Sequence, residues 1–519
     1  MDKVASPERR RFLAATAAAS LLPVRVTLAQ SSAPAAAQAG NIAVIGEPGS
    51  IDPMLTLADL VNEIDQHFFE TLYYMDPLFH IGPVLAAAMP DISPDGMRYT
   101  IPLRENVPFH DGTIMVADDV VATLQRWLKL SARAKAAAPF VDSVTAPDAK
   151  TVVITLKQPY SPLMTLLALF NGAAAVMPKR IASSMDPIKE FVGTGPYKLV
   201  EHAPDRYIRV ARFDKYASPV GKPNGFLGER KALIEELRFV PVPNTTTRVD
   251  GLRTGQYHFA DGLTTESYQQ LAGKPNVKQG MMTVPGWAII VMNTKGALTA
   301  DARVRQAVLA AISPSDMLAA AFGPPEMWTL EGSIYPKGTD LYLPDAPGYN
   351  AHDTAKAAAL LKEAGYKGQP FRIFTTKQYD YMFKIAQVAE ANLTEAGFTV
   401  DLQVMDWATL LTRRNDASIW EAFVTSSPIF PDPTLFSPFN KSYAGWWDTP
   451  AIVSAVQAFT SAPNNTARLD AWKKMHALFY SEVPSLLVGY YQLLYGISTY
   501  LENFTPAQPP AFWNVSLTS

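Results

Sequence analysis

Between residues 371 and 405 the spacing of apolar side chains changes from two residues to about 3.6 and back to two. Phe371 and Ile373 alternate with polar neighbours, as in a short half-buried strand. Ile385, Val388, Ala389 and Leu393 then fall on one helical face, and Gly397 stands where a helix stops. Val400, Leu402 and Val404 alternate again. A strand, a helix and a second strand in so short a span form a crossover that joins parallel strands. The chain is therefore of mixed α/β class, and at 519 residues it is too long for one core.

Other elements are equally plain. Val304, Ala307, Val308 and Ala311 stripe one helix, and Val120, Leu124, Trp127 and Leu128 another. Ser313-Pro314-Ser315-Asp316 predicts a capped helix start with proline in the first turn. Asp353 is expected to cap a helix through Ala358, Leu361 and Ala364 that stops at Gly365. The apolar run from Leu486 to Ile497 is broken by Gln492 and reads as buried strand, not as a membrane span. Such stripes are core.

Composition excludes whole classes of function. A formal charge of −3 gives no electrostatic footprint for nucleic acid or an anionic membrane. Without any cysteine there is no disulfide, thiolate metal site, cysteine nucleophile or lipid-modified N-terminal cysteine. Aromatics make up 11% of the chain, enough to furnish both cores and a ligand cleft.

The first residues carry an address. Arg9 and Arg10 precede Phe12-Leu13 and a modest apolar stretch to Leu22, followed by small residues with Ala29 or Ala39 as cleavage positions. Residues 1–39 read as an export signal of twin-arginine type, with the general secretory signal as the alternative, and the protein is expected to be periplasmic. The stretch is too short to span a bilayer, so no stable membrane insertion is expected.

No catalytic motif stands out. The seven histidines lack ligand spacing such as His-Glu-x-x-His. Gly193-Thr194-Gly195-Pro196 is no dinucleotide fingerprint, because the third glycine is missing and proline blocks the turn into a helix. There is no phosphate loop and no Gly-x-Ser-x-Gly elbow. Asp118 and Asp119 are adjacent on a helix, where their side chains diverge. We expect no catalytic residue, no metal and no cofactor. A periplasmic hydrolase or a sensory module on the same fold remains the alternative.

Seven strings in order carry a resemblance. They are Glu47-Pro48-Gly49-Ser50-Ile51-Asp52-Pro53; Phe69-Glu70-Thr71-Leu72; Ser93 to Gly96 with Tyr99 to Arg104; Val107 to Thr113 followed by Ala117 to Val120; Gly193 to Tyr197; Val304 to Ala307; and Ala355 to Tyr366. Together they resemble the family 5 extracellular solute-binding proteins, the dipeptide, oligopeptide and nickel group of ABC importers. The resemblance makes His110-Asp111-Gly112 a structural turn, and Gly193 to Tyr197 a corner.

That resemblance implies a two-lobed periplasmic binding protein fold of type 2, with an extra subdomain inserted in the first lobe. Lobe I would comprise 41–73, 190–281 and 488–519, the insertion 74–189, and lobe II 282–487. It implies a monomer that binds a small organic solute, peptide-like or an amino-acid or sugar conjugate, between its lobes and delivers it to permease subunits. In peptide-binding members an Asp three residues before an acidic-Pro pair holds the peptide amine. Here the pair is Asp432-Pro433 and the matching position is Ile429, while Pro428 removes a backbone donor. An ammonium left unpaired there would cost several kcal/mol, so a free peptide amine is not expected at that spot. Ligand contacts are also expected from Trp287, Asn293, Trp407, Trp420, Phe430, Trp446 and Trp447.

Overall fold

Two strands of unusual length run side by side through the molecule, Val277–Met292 and Ser485–Ser498. At about 3.3 Å per residue each reaches well beyond the width of an ordinary sheet layer. The computed structural model describes residues 39–518, so the 1–39 export segment, apart from Ala39 itself, lies outside the described residues.

The two strands pair antiparallel from Val277 opposite Ser498 to Val291 opposite Ser485. They stand at the middle of an 11-stranded sheet. On one side follow Phe259–Leu263, Ala39–Val44, Glu236–Pro241, Tyr207–Arg212 and Tyr197–Ala203; on the other, Ala422–Pro428, Pro370–Thr375 and Thr399–Val404. The short strand Trp328–Thr329 pairs with Ser485–Ser498 off this path.

The predicted crossover is present. Pro370–Thr375 pairs parallel with Thr399–Val404, Phe371 opposite Val400, and the Asp380–Glu395 helix lies between them in sequence. Gly397 takes a φ of +95°, the left-handed conformation of a helix stop. Thr399–Val404 is the sheet edge, which leaves Val404 exposed although it continues the alternation. The other stripes also form helices, Ala302–Ala311 and Ala117–Leu130. Ser313 and Asp353 cap the next two, the Asp353 carboxylate accepting from Lys356 N at 2.8 Å.

The apolar residues gather into two main cores. One holds Ile42, Phe68, Trp127, Leu166, Phe239 and Phe512; the other Trp287, Val308, Ile373, Trp420, Trp472 and Leu486. Both long strands run from the first core into the second. Register shifts between Met282 and Gly286 and between Ala288 and Ile289 mark the crossing, where bulges bend a ladder. Asp91–Ile92, Arg98–Pro102, Thr151–Leu156 and Val141–Asp148 form a separate antiparallel sheet, yet their apolar residues join the first core without a gap.

His110 is a weld. Its Nδ1 accepts from Gly193 N at 3.2 Å and its Nε2 lies 3.0 Å from the Gly195 carbonyl, which sets an Nε2–H tautomer. A Cβ at Gly193 would collide with the Phe68 carbonyl, so only glycine lets this corner close. Burial holds the imidazole neutral, its pKa lowered to about 4.

Candidate functional site

The strand Ala422–Pro428 ends beside the two long strands, and the chain then runs through Ile429, Phe430 and Pro431 along a cleft of about 580 Å³. Pro428 opposes Gly286, and Tyr335 Oη donates to the Phe430 carbonyl at 2.8 Å, so this segment is held at both ends.

Side chains of both cores face the cleft. Met75, Leu169 and Met282 come from the first core and Ile429 from the second; Tyr74, Phe170 and Phe226, which form a small cluster of their own, line it too, with Phe79, Ser426, Phe430 and Tyr491. Phe79, at a φ of +68°, packs against both cores. Tyr491 stacks on Phe322 with centroids 5.1 Å apart, and Tyr381 Oη donates to Ser426 Oγ at 2.9 Å. Arg133 lies with its Cζ 4.3 Å above the Phe430 ring while its Nε donates to Asn171 Oδ1 at 3.2 Å. That guanidinium therefore ties Asn171 to the 429–431 segment, the second contact being cation–π. The surroundings push up the Asp59 carboxyl at the rim, and Arg133 opposes that shift.

Of the residues expected at the site, Ile429 and Phe430 line this cleft. The others have different work in the structure. Trp287 is fully buried against Phe436 at 4.5 Å, on the core side of its strand. Asn293 is buried, its amide donating to the carbonyls of Ala417 and Trp420. Trp420 is fully buried, and its Nε1 donates to the Arg414 carbonyl. Trp446 packs 5.8 Å from Trp420, and Trp447 Nε1 donates to Glu482 Oε2 at 2.6 Å. Trp407 is half-buried edge-on to Tyr379. Asp432 is buried in an ion pair with Arg468 at 2.9 Å and caps the turn through Thr434 N. Trp420 and Trp447 thus fill the second core with their indole N–H groups satisfied, while the buried Trp287 Nε1 is left without an acceptor.

Sequence reasoning missed Tyr491, Ser426, Asn171 and Arg133. For Tyr491 a signal existed: Tyr490-Tyr491-Gln492 interrupts the Leu486–Ile497 run at the crossing of the two cores. For Arg133, on a short 3-10 turn, there was none. Among the described residues no group of His, Asp and Glu is spaced to hold a metal ion.

Comparison with known proteins agrees with the geometry. Residues 80–447 match the model of the bacterial extracellular solute-binding proteins, family 5. The chain is 25% identical to the probable peptide ABC transporter periplasmic-binding protein of Sinorhizobium fredii, over 98% of both chains. It is 29% identical to the glutathione-binding protein of Pectobacterium atrosepticum, over 74% of this chain and 73% of that one. Its fold superposes on the substrate-binding protein CtaP of an ABC transporter of Listeria monocytogenes with a TM-score of 0.81 and 20% identity, covering 93% of this chain and 100% of the other.

Proposed function

Because the chain belongs to the family 5 bacterial extracellular solute-binding proteins, which are receptors and not enzymes, we propose that it captures a small organic solute for an ABC importer. The solute is peptide-like, or an amino-acid or sugar conjugate, and it is held in the cleft that Ile429 and Phe430 line. One observation carries this reading. Side chains of both cores line one cleft, and the two long strands run through both cores beside it. A solute touching both sides stabilises the closed form by its differential affinity for that form. The lobes correspond to 41–73, 190–281 and 488–519 for the first, with 74–189 inserted, and 282–487 for the second. The receptor works in the periplasm as a monomer, after export by the twin-arginine route, and hands its cargo to permease subunits.

Native mass spectrometry of freshly purified protein identifies a retained solute, and small-angle scattering follows closure. Retention of an unaltered small molecule with a smaller radius of gyration supports the reading. Multiple turnovers to a chemically changed product would refute it.

A further inference from the structure

Asp76, Pro77 and Phe79 line the cleft from the tip of a hairpin in which Met75 pairs with Ile81. Asp76 builds that tip. Its Oδ1 accepts from Leu78 N at 2.8 Å and from His80 N at 2.9 Å, while its Oδ2 accepts from Asn224 Nδ2 at 3.1 Å. A turn bonded in this way keeps one shape, including the left-handed φ of +68° at Phe79. That conformation is uncommon for a phenylalanine and persists where the surroundings fix the backbone.

The tip reaches the other side of the molecule at three successive residues. Leu78 lies over Gly338, where a Cβ would stand 3.3 Å from Leu78 Cδ2. Phe79 packs against both main cores. His80 places Nδ1 2.9 Å from Asp76 Oδ2 and Nε2 3.7 Å from Asp340 Oδ1. Asp76 follows Met75 of the first core, whereas Asp340 precedes Leu341 of the second. His80 thus stands between two carboxylates, one from each side of the cleft.

The proton count on His80 sets the sign of the second contact. Asp76 keeps Nδ1 protonated in either state, so neutral His80 turns a bare Nε2 lone pair towards Asp340. Protonation puts an N–H there and makes the contact attractive. The charged groups acting on His80 are Asp76 and Asp340, and with the Asp76 hydrogen bond foremost they hold its pKa above the ordinary 6.5. We propose that the 76–80 tip is a clasp across the cleft, and that protonated His80 tightens it by engaging Asp340. This rests on the receptor function proposed above and adds that acid favours the closed form and retention of the solute. Closure brings Asp340 to His80 and raises its proton affinity. The gain is full below the open-form pKa and is lost as pH rises through the closed-form value. Asp340 is 70% exposed, so the contact changes the closed-to-open ratio by only about two- to fivefold.

Val200 and Val404 are exposed on the two end strands of the 11-stranded sheet, and the chain has no cysteine of its own. Dyes on Val200→Cys and Val404→Cys read the closed-to-open ratio by single-molecule energy transfer at about pH 5.5 and about pH 8.5. The ratio should be about two- to fivefold higher in acid. Asp340→Asn, a change at an exposed side chain, should remove most of that difference and leave the ratio at the higher pH unaltered. His80→Gln should remove the difference too. A merely structural role for Asp340 would instead shift the ratio equally at both pH values. That equal shift, or a pH dependence that survives both substitutions, overturns the clasp and leaves the receptor function standing. So does a wild type whose ratio ignores pH while native mass spectrometry finds a retained solute. A single fixed distance with no solute retained overturns the receptor function and the clasp with it.

Discussion

Gly286 and Tyr491 oppose each other across the two long strands, and a Cβ at residue 286 would stand 2.6 Å from the tyrosine oxygen. Both residues line the cleft at the point where the strands pass from one core to the other. The absent side chain lets the ring lie flat over the backbone and stack on Phe322.

Gly286→Ala should therefore lift the Tyr491 ring off Phe322. Overpacking of this kind costs about 1–3 kcal/mol, and the displaced ring narrows the cleft. Solute affinity should drop more than stability does. Calorimetric titration beside a thermal melt checks this, and unchanged affinity would remove Tyr491 from the site.

Phe430→Ala removes both an apolar wall and the face on which Arg133 rests. Loss of the wall and of a cation–π contact worth roughly 0.5–2 kcal/mol should weaken solute binding by about tenfold or more. The Tm should change little, because Phe430 is half-buried at the cleft. Titration of the variant with the co-purified solute decides.

Ile429→Asp places a carboxylate at a position that is 6% exposed and packed against the second core. The variant should lose affinity for the natural solute, because the new charge is buried without a partner. If affinity rises instead, the solute presents a cationic group at residue 429.

The buried histidines should make stability fall with acid before the surface carboxylates titrate. Burial lowers His67 to about 3, His110 to about 4 and His476 to about 4, from an ordinary value of 6.5. A depressed folded pKa contributes stability that is present above pH 6.5 and lost as pH falls towards the folded value. Asp59, Glu63, Asp65 and Asp261 are raised, so their contribution has the opposite sign and fades as pH rises. Melts of the wild type and of a His110 variant between pH 7.5 and 4.5 separate the histidine contribution from theirs. His110→Gln should lower Tm at pH 7.5, through its lost bonds to Gly193 and Gly195, and show a shallower acid slope. An unaltered slope would mean that folding does not depress the His110 pKa.

Replacing Arg9 and Arg10 by lysine should leave precursor in the cytoplasm if export uses the twin-arginine route. Fractionation with an antibody against the mature chain reads the outcome. Normal periplasmic yield from the double variant would assign export to the general secretory route.

Class, elements and family could be read from the chain alone, because these depend on neighbours a few residues apart. The alternation at Phe371 and Ile373, the stripe at Ile385 to Leu393 and the caps at Ser313 and Asp353 all reappear as strand, helix and cap. Local sterics and hydrogen bonds dictate such features wherever the segment lies. The seven strings identified the family for a related reason, since each lies on a local element, from the helix at Val304 to Ala307 to the corner where His110 is welded to Gly193.

Which side chains line the cleft was decided only by tertiary structure. Trp287 and Tyr491 both lie on the central strands, and nothing local distinguishes the indole that faces Phe436 in the core from the phenol that faces the cleft. Burying either ring in protein or against a ligand removes the same apolar surface from water, so aromatic content could not separate the two. Short-range chemistry made the elements, and the long-range pairing of Val277–Met292 with Ser485–Ser498 set both cores beside one cleft.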